Sequence, residues 1–143
     1  IHWGGNWGYQ IPYAQQSFAH QLIDDAGVDV VHGHSSHHPQ GMEIYKGKLI
    51  LYSCGDFLND YEGISGHEAY RGDLTLMYFV RLDASTGTLV GLEMAAMQMK
   101  RFRLNHASAD DVLWLKETLD REGKKFGNWV ELGADNTLTL RWA

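Results

Sequence analysis

The stretch Val28-Asp29-Val30-Val31-His32-Gly33-His34-Ser35-Ser36-His37-His38-Pro39 decides how this chain is organised. It begins as a short apolar run, which predicts a buried strand over residues 28–31, and continues as a loop rich in histidine. Four of the eight histidines lie within seven residues, from His32 to His38, where chance placement puts about 0.4. Sheet proteins collect ligands where strands end, and neutral imidazole binds zinc, iron, manganese and nickel. The stretch therefore indicates a metal site.

The chain on either side of this stretch predicts a helix and a second strand. Apolar residues recur at helical spacing behind Pro12, and Gly27 follows them, so we expect a helix over residues 12–26. Residues 48–53 read as a strand that follows a Lys46-Gly47 turn. This order of elements predicts an α/β fold.

The second half of the chain predicts two hairpins around a helix. Residues 73–82 and 88–99 read as strands joined by a turn at 84–87, and residues 129–132 and 137–142 form a second such pair. Between them, Ser108 caps a helix that carries a core stripe of leucine and valine and that Gly123 ends.

Composition limits the function classes. The 143 residues have the length of one domain and can bury a core without a disulfide or a metal. A net charge of −6 and scattered Lys and Arg argue against nucleic acid as a partner, and no apolar run is long enough for direct membrane insertion. Cys54 is the only cysteine, which excludes an internal disulfide. Localisation stays open between the cell envelope and the cytoplasm, and the oligomeric state is open.

The histidines differ in how strongly they indicate metal binding. His34 and His37 flank a Ser-Ser turn that can aim both rings to one side, so we expect both to be ligands. His2 is a candidate third ligand, with packing among aromatic residues as an equal alternative. His32 lies in the strand and favours a satisfied structural role, and His38 is either a neighbour of the ligands, an exposed residue or a ligand.

Other polar residues are weaker candidates. Asp56 follows a strand and a glycine and is the acid most worth testing, although it can equally cap its turn. His67 lies in the Gly- and acid-rich segment 54–72, whose length is typical of binding loops, and is either a substrate contact or, as we favour, a solvated loop residue. Three further acids are candidates for substrate contact: Glu43, Asp60 and Glu62. We expect His20 and His106 to be surface residues and Cys54 to be a packing thiol.

Several motifs, taken in order, resemble one protein family. They are His2-Trp3-Gly4, Pro12-x-x-Gln15, Gly27 to His34 with His37, Glu43-x-Tyr45-x-Gly47-Lys48, and Tyr52-Ser53-x-Gly55-Asp56-Phe57. Together these motifs resemble the CapA family of capsule or poly-γ-glutamate biosynthesis proteins, which is similar to the calcineurin-like metallophosphatases. The resemblance runs through residues 1–60 and implies a two-sheet α+β sandwich flanked by helices.

The resemblance implies a phosphoesterase site with two divalent metal ions, in which Mn, Fe and Zn are not distinguished. His2 matches a late histidine ligand of the superfamily. His34 and His37 fall at its Gly-His-x-His motif, which supplies further ligands and an electrophilic contact, although the spacing here is one residue longer. Asn6 and Asp56 stand where family members often carry an acid and an asparagine, so we expect both near the substrate together with His32, His38 and His67. The implied substrate is a phosphoester or an anionic polymer.

The superfamily's early motifs, which supply the bridging carboxylate, are missing from these 143 residues. We therefore expect residues 1–143 to be the C-terminal portion of one CapA-like domain, which alone binds at most one metal ion weakly and turns over phosphoesters slowly or not at all. One alternative is a non-catalytic binding domain of the same fold for an anionic polymer or a protein partner. The other is a purely structural half-domain.

Overall fold

The computed structural model describes residues 1–60 and 64–143, which form two β-sheets and two α-helices. This is the predicted α+β arrangement. The helices are α1 (Tyr13–Asp24) and α2 (Ala109–Gly123), and the strands are β1 (Val30–His32), β2 (Met42–Tyr45), β3 (Lys48–Leu51), β4 (Leu74–Leu82), β5 (Leu89–Lys100), β6 (Arg103–His106), β7 (Asn128–Leu132) and β8 (Thr137–Trp142). Short 3-10 helices cover Glu68–Tyr70 and Lys124–Phe126.

The smaller sheet has the strand order β1-β3-β2, with β1 parallel to β3. The sequence pattern did not predict β2, which pairs with β3 as a hairpin. Its turn is Lys46-Gly47, where both residues have positive φ (50° and 79°), and this backbone matches the twist of paired strands. The turn was therefore predicted correctly, while the strand before it was missed.

Both faces of the smaller sheet are buried. Val31, Ile50 and Tyr52 pack against Ala19 and Ile23 of α1. Alternation along the strands sends Leu49 and Leu51 to the other face, where they join the main core between the two sheets. A sheet with two covered faces explains why residues 28–31 and 48–53 are so apolar.

The larger sheet is antiparallel, with the order β4-β5-β8-β7 and β6 paired to β5. The predicted β4–β5 and β7–β8 hairpins are confirmed. The first turn is organised by Asp83, whose Oδ1 accepts hydrogen bonds from the backbone N–H groups of Ser85 and Thr86 (both 2.9 Å). Strand β6 was missed, because Arg103–His106 has none of the apolar alternation that marks the other strands.

Helix α2 closes one side of the main core. Its predicted cap is confirmed, since Oγ of Ser108 accepts a hydrogen bond from the backbone N–H of Asp111 (3.2 Å). Val112, Leu115 and Leu119 are buried in that core. Neither helix in the described ranges 1–60 and 64–143 has the length and apolar character needed to cross a membrane.

Candidate functional site

The histidine loop leaves the smaller sheet at Gly33, between the ends of β1 and β3. The N–H of Gly33 donates to the carbonyl of Leu51 (2.7 Å), and its carbonyl accepts from the N–H of Cys54 (3.3 Å). A Cβ atom at this position would lie 2.2 Å from the carbonyl oxygen of Tyr52 and 2.4 Å from Nε1 of Trp3. Only glycine fits, because both groups are held by the 2.7 Å hydrogen bond between them.

His2 and His34 lie side by side at this edge. The segment around His2 pairs with the loop in parallel, since the N–H of His34 donates to the carbonyl of Ile1 (2.9 Å) and the N–H of Trp3 donates to the carbonyl of His34 (3.0 Å). The ring centroids of His2 and His34 are 5.2 Å apart, and both side chains are exposed. The structure thus brings together two of the three predicted ligands, which are 32 residues apart in the sequence.

His32 extends this pair, with its ring centroid 6.2 Å from that of His34. It lies on the opposite face of β1 from Val31, as alternation predicts, but it is exposed. The expectation of a satisfied structural histidine is therefore wrong for His32. Desolvation lowers the pKa of His34, and the positive charges of His2 and His32 act in the same direction. This favours the neutral imidazole, which is the form that binds metal.

His37 pairs with Asp56. Nδ1 of His37 lies 2.6 Å from Oδ2 of Asp56, and both side chains are about one-fifth exposed (20% and 23%). The backbone N–H of His37 donates to the carbonyl of Asn6 (3.0 Å), so Asn6 supports the site through its main chain. Asp56 is therefore a partner of His37, and its position at an active edge stays a prediction.

His38 is a buried structural residue. Its side chain has no exposed surface; Nδ1 lies 3.0 Å from the carbonyl of Pro39, and Nε2 accepts a hydrogen bond from the N–H of Gly8 (3.0 Å). Donation from Nδ1 and acceptance at Nε2 describe one neutral tautomer. Burial lowers the pKa of His38 accordingly. Both the exposed and the ligand alternatives fail for this residue, because neither ring nitrogen is available to a metal ion.

A cavity of about 340 Å³ opens beside the His37–Asp56 pair. His67 lies in its wall and stacks on Trp7, with ring centroids 4.3 Å apart and an angle of 8° between the planes. His67 is half-buried, so the expectation of a solvated loop residue is wrong. The described residues of segment 54–72 thus supply one wall of a cavity, and the role of the segment as a binding loop stays a prediction. Glu62 lies outside the described residues.

Charged groups of the cavity wall are held by their neighbours. The Arg71 guanidinium bonds both carboxylate oxygens of Asp73 (2.9 and 3.0 Å) and Oδ1 of Asp111 (2.8 Å). These contacts raise the pKa of Arg71 further above its usual range. The guanidinium is thus a fixed positive group at the cavity, largely balanced by two carboxylates.

Sequence reasoning missed a polar network on the other side of the smaller sheet. His20 was expected on the surface, yet its Nε2 lies 2.9 Å from Oε1 of Glu43 and its ring stacks on Tyr45 at 3.8 Å. The other Glu43 oxygen accepts a hydrogen bond from the hydroxyl of Tyr52 (2.6 Å). Glu43 therefore joins α1 to the sheet, and a one-sequence pattern carries no signal for such a contact. His106 is exposed, as expected, and Asp60 is exposed as well.

The chemistry of the exposed histidines suits a divalent cation, but their number is small. Within residues 1–60 and 64–143, no group of three or more His, Cys, Asp or Glu side chains is arranged to hold a metal ion. The His2–His34 pair has the right donor type, lies in the open and has no carboxylate beside it among the contacts described. The pair can therefore supply two ligands of a metal site that needs further ligands to be complete.

Comparison with known proteins places these residues in a family. A family model described as bacterial capsule synthesis protein PGA_cap matches residues 1–61. A probable polyglutamine synthesis accessory protein of Mycobacterium tuberculosis is 50% identical over 140 residues, which cover 98% of this chain. The capsule biosynthesis protein CapA of Bacillus anthracis is 36% identical over 59 residues, which cover 41% of this chain and 14% of that protein.

The chain belongs to the CapA family. It spans 37% of the length of the Mycobacterium relative that it matches. The CapA-family match over residues 1–61 contains His2, His34, His37 and Asp56, so the family pattern and the site coincide in sequence. The similarity to the Mycobacterium relative also extends through the larger sheet and α2.

Proposed function

We propose that this chain is the metal-binding and substrate-facing part of a phosphoesterase-like protein that serves the synthesis of a capsule or polyglutamate polymer. The names of its relatives support the biological role, and the juxtaposition of His2 and His34 supports the chemistry. That juxtaposition carries the proposal, because two exposed imidazoles from distant segments meet at the end of a sheet. We also propose that residues 1–143 form the C-terminal portion of one CapA-like domain, as expected from the sequence.

In this proposal His2 and His34 are metal ligands, and His32 is a neighbour of His34 that does not bind the metal ion. His34 is already biased to its neutral form, so a cation displaces little bound proton at neutral pH. A bound divalent cation would supply Lewis-acid stabilisation of the charge that develops on phosphoryl oxygens. The carboxylate ligands of a complete site come, in this proposal, from outside residues 1–143, as in a protein of the relatives' length.

The proposed role of His37 is proton transfer rather than metal binding. Asp56 holds Nδ1 and fixes the orientation of the ring, so His37 acts through Nε2 at the cavity wall. In the proposed step this ring donates a proton to the leaving oxygen of a phosphoester. This role differs from the ligand role expected of His37, which stays a prediction, because metal-binding histidines also commonly donate the other ring N–H to a carboxylate.

Metal titration of the 143-residue chain by calorimetry tests the proposal. We expect at most one Zn²⁺ or Mn²⁺ ion to bind weakly, and the His2→Ala and His34→Ala substitutions each to weaken binding about tenfold or more. His106→Ala is the matched control, since His106 is also exposed but lies on β6. Tight binding of two ions per chain, or equal binding by all three variants, would contradict the proposed ligand roles.

A second function is a non-catalytic binding domain for an anionic polymer. It is favoured by the small number of metal donors that the described residues bring together. The two functions differ in a longer family protein that carries this chain: the first predicts phosphoester turnover that His37→Gln reduces, and the second predicts polymer binding without turnover.

A further inference from the structure

The hairpin between β5 and β6 ends in an unusual turn. Arg101 and Phe102 are its two central residues, between the paired residues Lys100 and Arg103, and both have left-handed backbone angles (φ of 56° and 54°). Turns of this type strongly prefer Asn-Gly, because a side chain at positive φ is strained. The chain therefore keeps a cation and an aromatic ring at a hairpin tip where both are conformationally costly.

The same hairpin carries a second unfavourable feature. Lys100 and Arg103 lie directly opposite each other on the paired strands, and like charges in that position repel. Both are exposed, and neither forms an ion pair with any residue in the described ranges 1–60 and 64–143. An anion bound between them would remove this repulsion, so the arrangement indicates a ligand of negative charge.

The hairpin presents these groups on one rigid face. Alternation along the strands puts Lys100, Arg103, Gln98 and Asn105 on the same side, while Met97 and Met99 are buried on the other. The Asn105 side-chain amide lies within 3.3 Å of three carbonyl oxygens, those of Gln98, Lys100 and Arg103, which clamps the two strands together. The cations are thus displayed on a fixed frame.

An open polar groove of about 530 Å³ follows this face. Among the residues that the structure describes, its lining consists of Gln98, Lys100, Arg101, Arg103 and Asn105, without a carboxylate. The groove adjoins the cavity of the candidate site, because the side-chain amide of Gln98 donates to Asp73 (2.8 Å), which lies in the cavity wall. A linear ligand in the groove would therefore lead towards His37.

We propose that this groove is a binding site for a linear polycarboxylate chain, which it holds by successive carboxylates on Lys100 and Arg103. Lysine and arginine donate several charge-assisted hydrogen bonds each, and arginine matches a carboxylate with two parallel bonds. The identity of the polymer as γ-linked polyglutamate rests on the proposed function. The site itself is carried by the turn, the opposed cations and the groove.

The charge distribution favours a flexible polymer over a membrane surface. Attraction to an anionic membrane takes clusters of about four to eight basic residues, and residues 100–103 supply three. A flat anionic surface would also approach the rest of the molecule, and the net charge of −6 would repel it. A single extended polymer chain contacts only the groove and avoids this repulsion.

Fluorescence anisotropy with labelled γ-polyglutamate tests the proposal on the 143-residue chain. We expect salt-sensitive binding that the double substitution Lys100→Gln/Arg103→Gln weakens about fivefold or more. Arg81→Gln/Lys124→Gln removes the same charge from two exposed positions elsewhere and should change binding less than about twofold. The hairpin variant should unfold at the same or a higher temperature than the parent, since a repulsion is removed.

The outcomes separate this proposal from the metal site. The double variant His2→Ala/His34→Ala should bind the polymer as the parent chain does. If the parent chain binds the polymer but no metal ion, the groove is supported and the metal site is not. Absence of polymer binding by the parent, or equal loss in the hairpin and control variants, would overturn the groove. Binding of phosphatidylglycerol vesicles that only the hairpin variant loses, without polymer binding, would also overturn it and assign the face to a membrane.

Discussion

Nδ1 of His37 lies 2.6 Å from Oδ2 of Asp56, which joins the loop after β1 to the loop after β3. The pair separates the histidine-rich stretch into three parts with different roles. His32 and His34 meet His2 in the open, His37 faces the cavity with its carboxylate partner, and His38 is buried with both ring nitrogens bonded. The histidines that are clustered in the sequence therefore lie in three different environments in the structure.

Replacement of Asp56 by Asn should release the ring of His37 without unfolding the chain. The pair is partly exposed, so the free energy of unfolding should fall by less than about 1 kcal/mol. The Nδ1 resonance of His37 in ¹⁵N-edited NMR spectra should move and its proton should exchange faster, because the charged acceptor is gone. Asp60→Asn is the control, since Asp60 is exposed. Unchanged His37 resonances in Asp56→Asn would refute the pairing.

Burial of His38 predicts acid sensitivity. Its folded-state pKa lies below the value of about 6.5 that it has when unfolded, so at low pH the unfolded chain binds more protons than the folded one. The stability that neutral His38 provides is complete above pH 6.5 and is lost as the pH falls below it, by at most about 1.4 kcal/mol per pH unit.

Urea denaturation at a series of pH values measures this loss. His38→Asn should flatten the dependence between neutral and acid pH, although the lowered pKa of His34 leaves a smaller dependence in place. His106→Asn should keep the slope of the parent chain. Equal slopes for the parent and His38→Asn would show that His38 is not the buried neutral group described here.

Gly33 should not tolerate even one methyl group. The Gly33→Ala substitution places Cβ against the Tyr52 carbonyl and the Trp3 indole, and we expect a loss of at least about 2 kcal/mol in the free energy of unfolding. Gly5→Ala is the matched control, since the nearest contact of its Cβ is 3.7 Å away and its φ is not in the left-handed region. Thermal unfolding compares the two variants. Equal stability would contradict the close packing of Gly33 against the Tyr52 carbonyl and the Trp3 indole.

Ser35 should be strained by its backbone. Its φ of 142° lies in a region that suits glycine, and the residue sits between His34 and His37. We expect the Ser35→Gly variant to be more stable than the Ser35→Ala variant by about 1 kcal/mol, since both lose the hydroxyl and only alanine keeps Cβ. Chemical denaturation at neutral pH measures the difference. A more stable alanine variant would argue for an unstrained loop.

Sequence patterns predicted the elements whose signal is local. The stripe and cap of α2, the β4–β5 hairpin and the strand before His34 all follow from spacing over a few residues. Strand β6 was missed because Leu104 is its only apolar residue, and β2 was missed because four residues carry too little periodicity.

The site shows the same division between local and distant information. The meeting of His2 and His34 agrees with one of the two alternatives left open for His2, since both residues occur at presumed strand exits. The roles of His37, His38 and His67 depend on Asp56, Gly8 and Trp7, which lie 19 to 60 residues away along the chain. A single sequence does not state which of these distant groups a ring nitrogen or ring face will meet, so neighbouring histidines were treated as more alike than they are.

The proposed ligand roles of His2 and His34 are tested most directly by a Zn²⁺ titration of the 143-residue chain followed by ¹H–¹⁵N NMR of the histidine rings. We predict that the ring-nitrogen resonances of His2 and His34 shift together as zinc is added, while those of His38 keep the values of the neutral Nδ1–H form throughout. A shift of His38, or no shift of His2 and His34 at any zinc concentration that leaves the chain folded, would contradict this prediction.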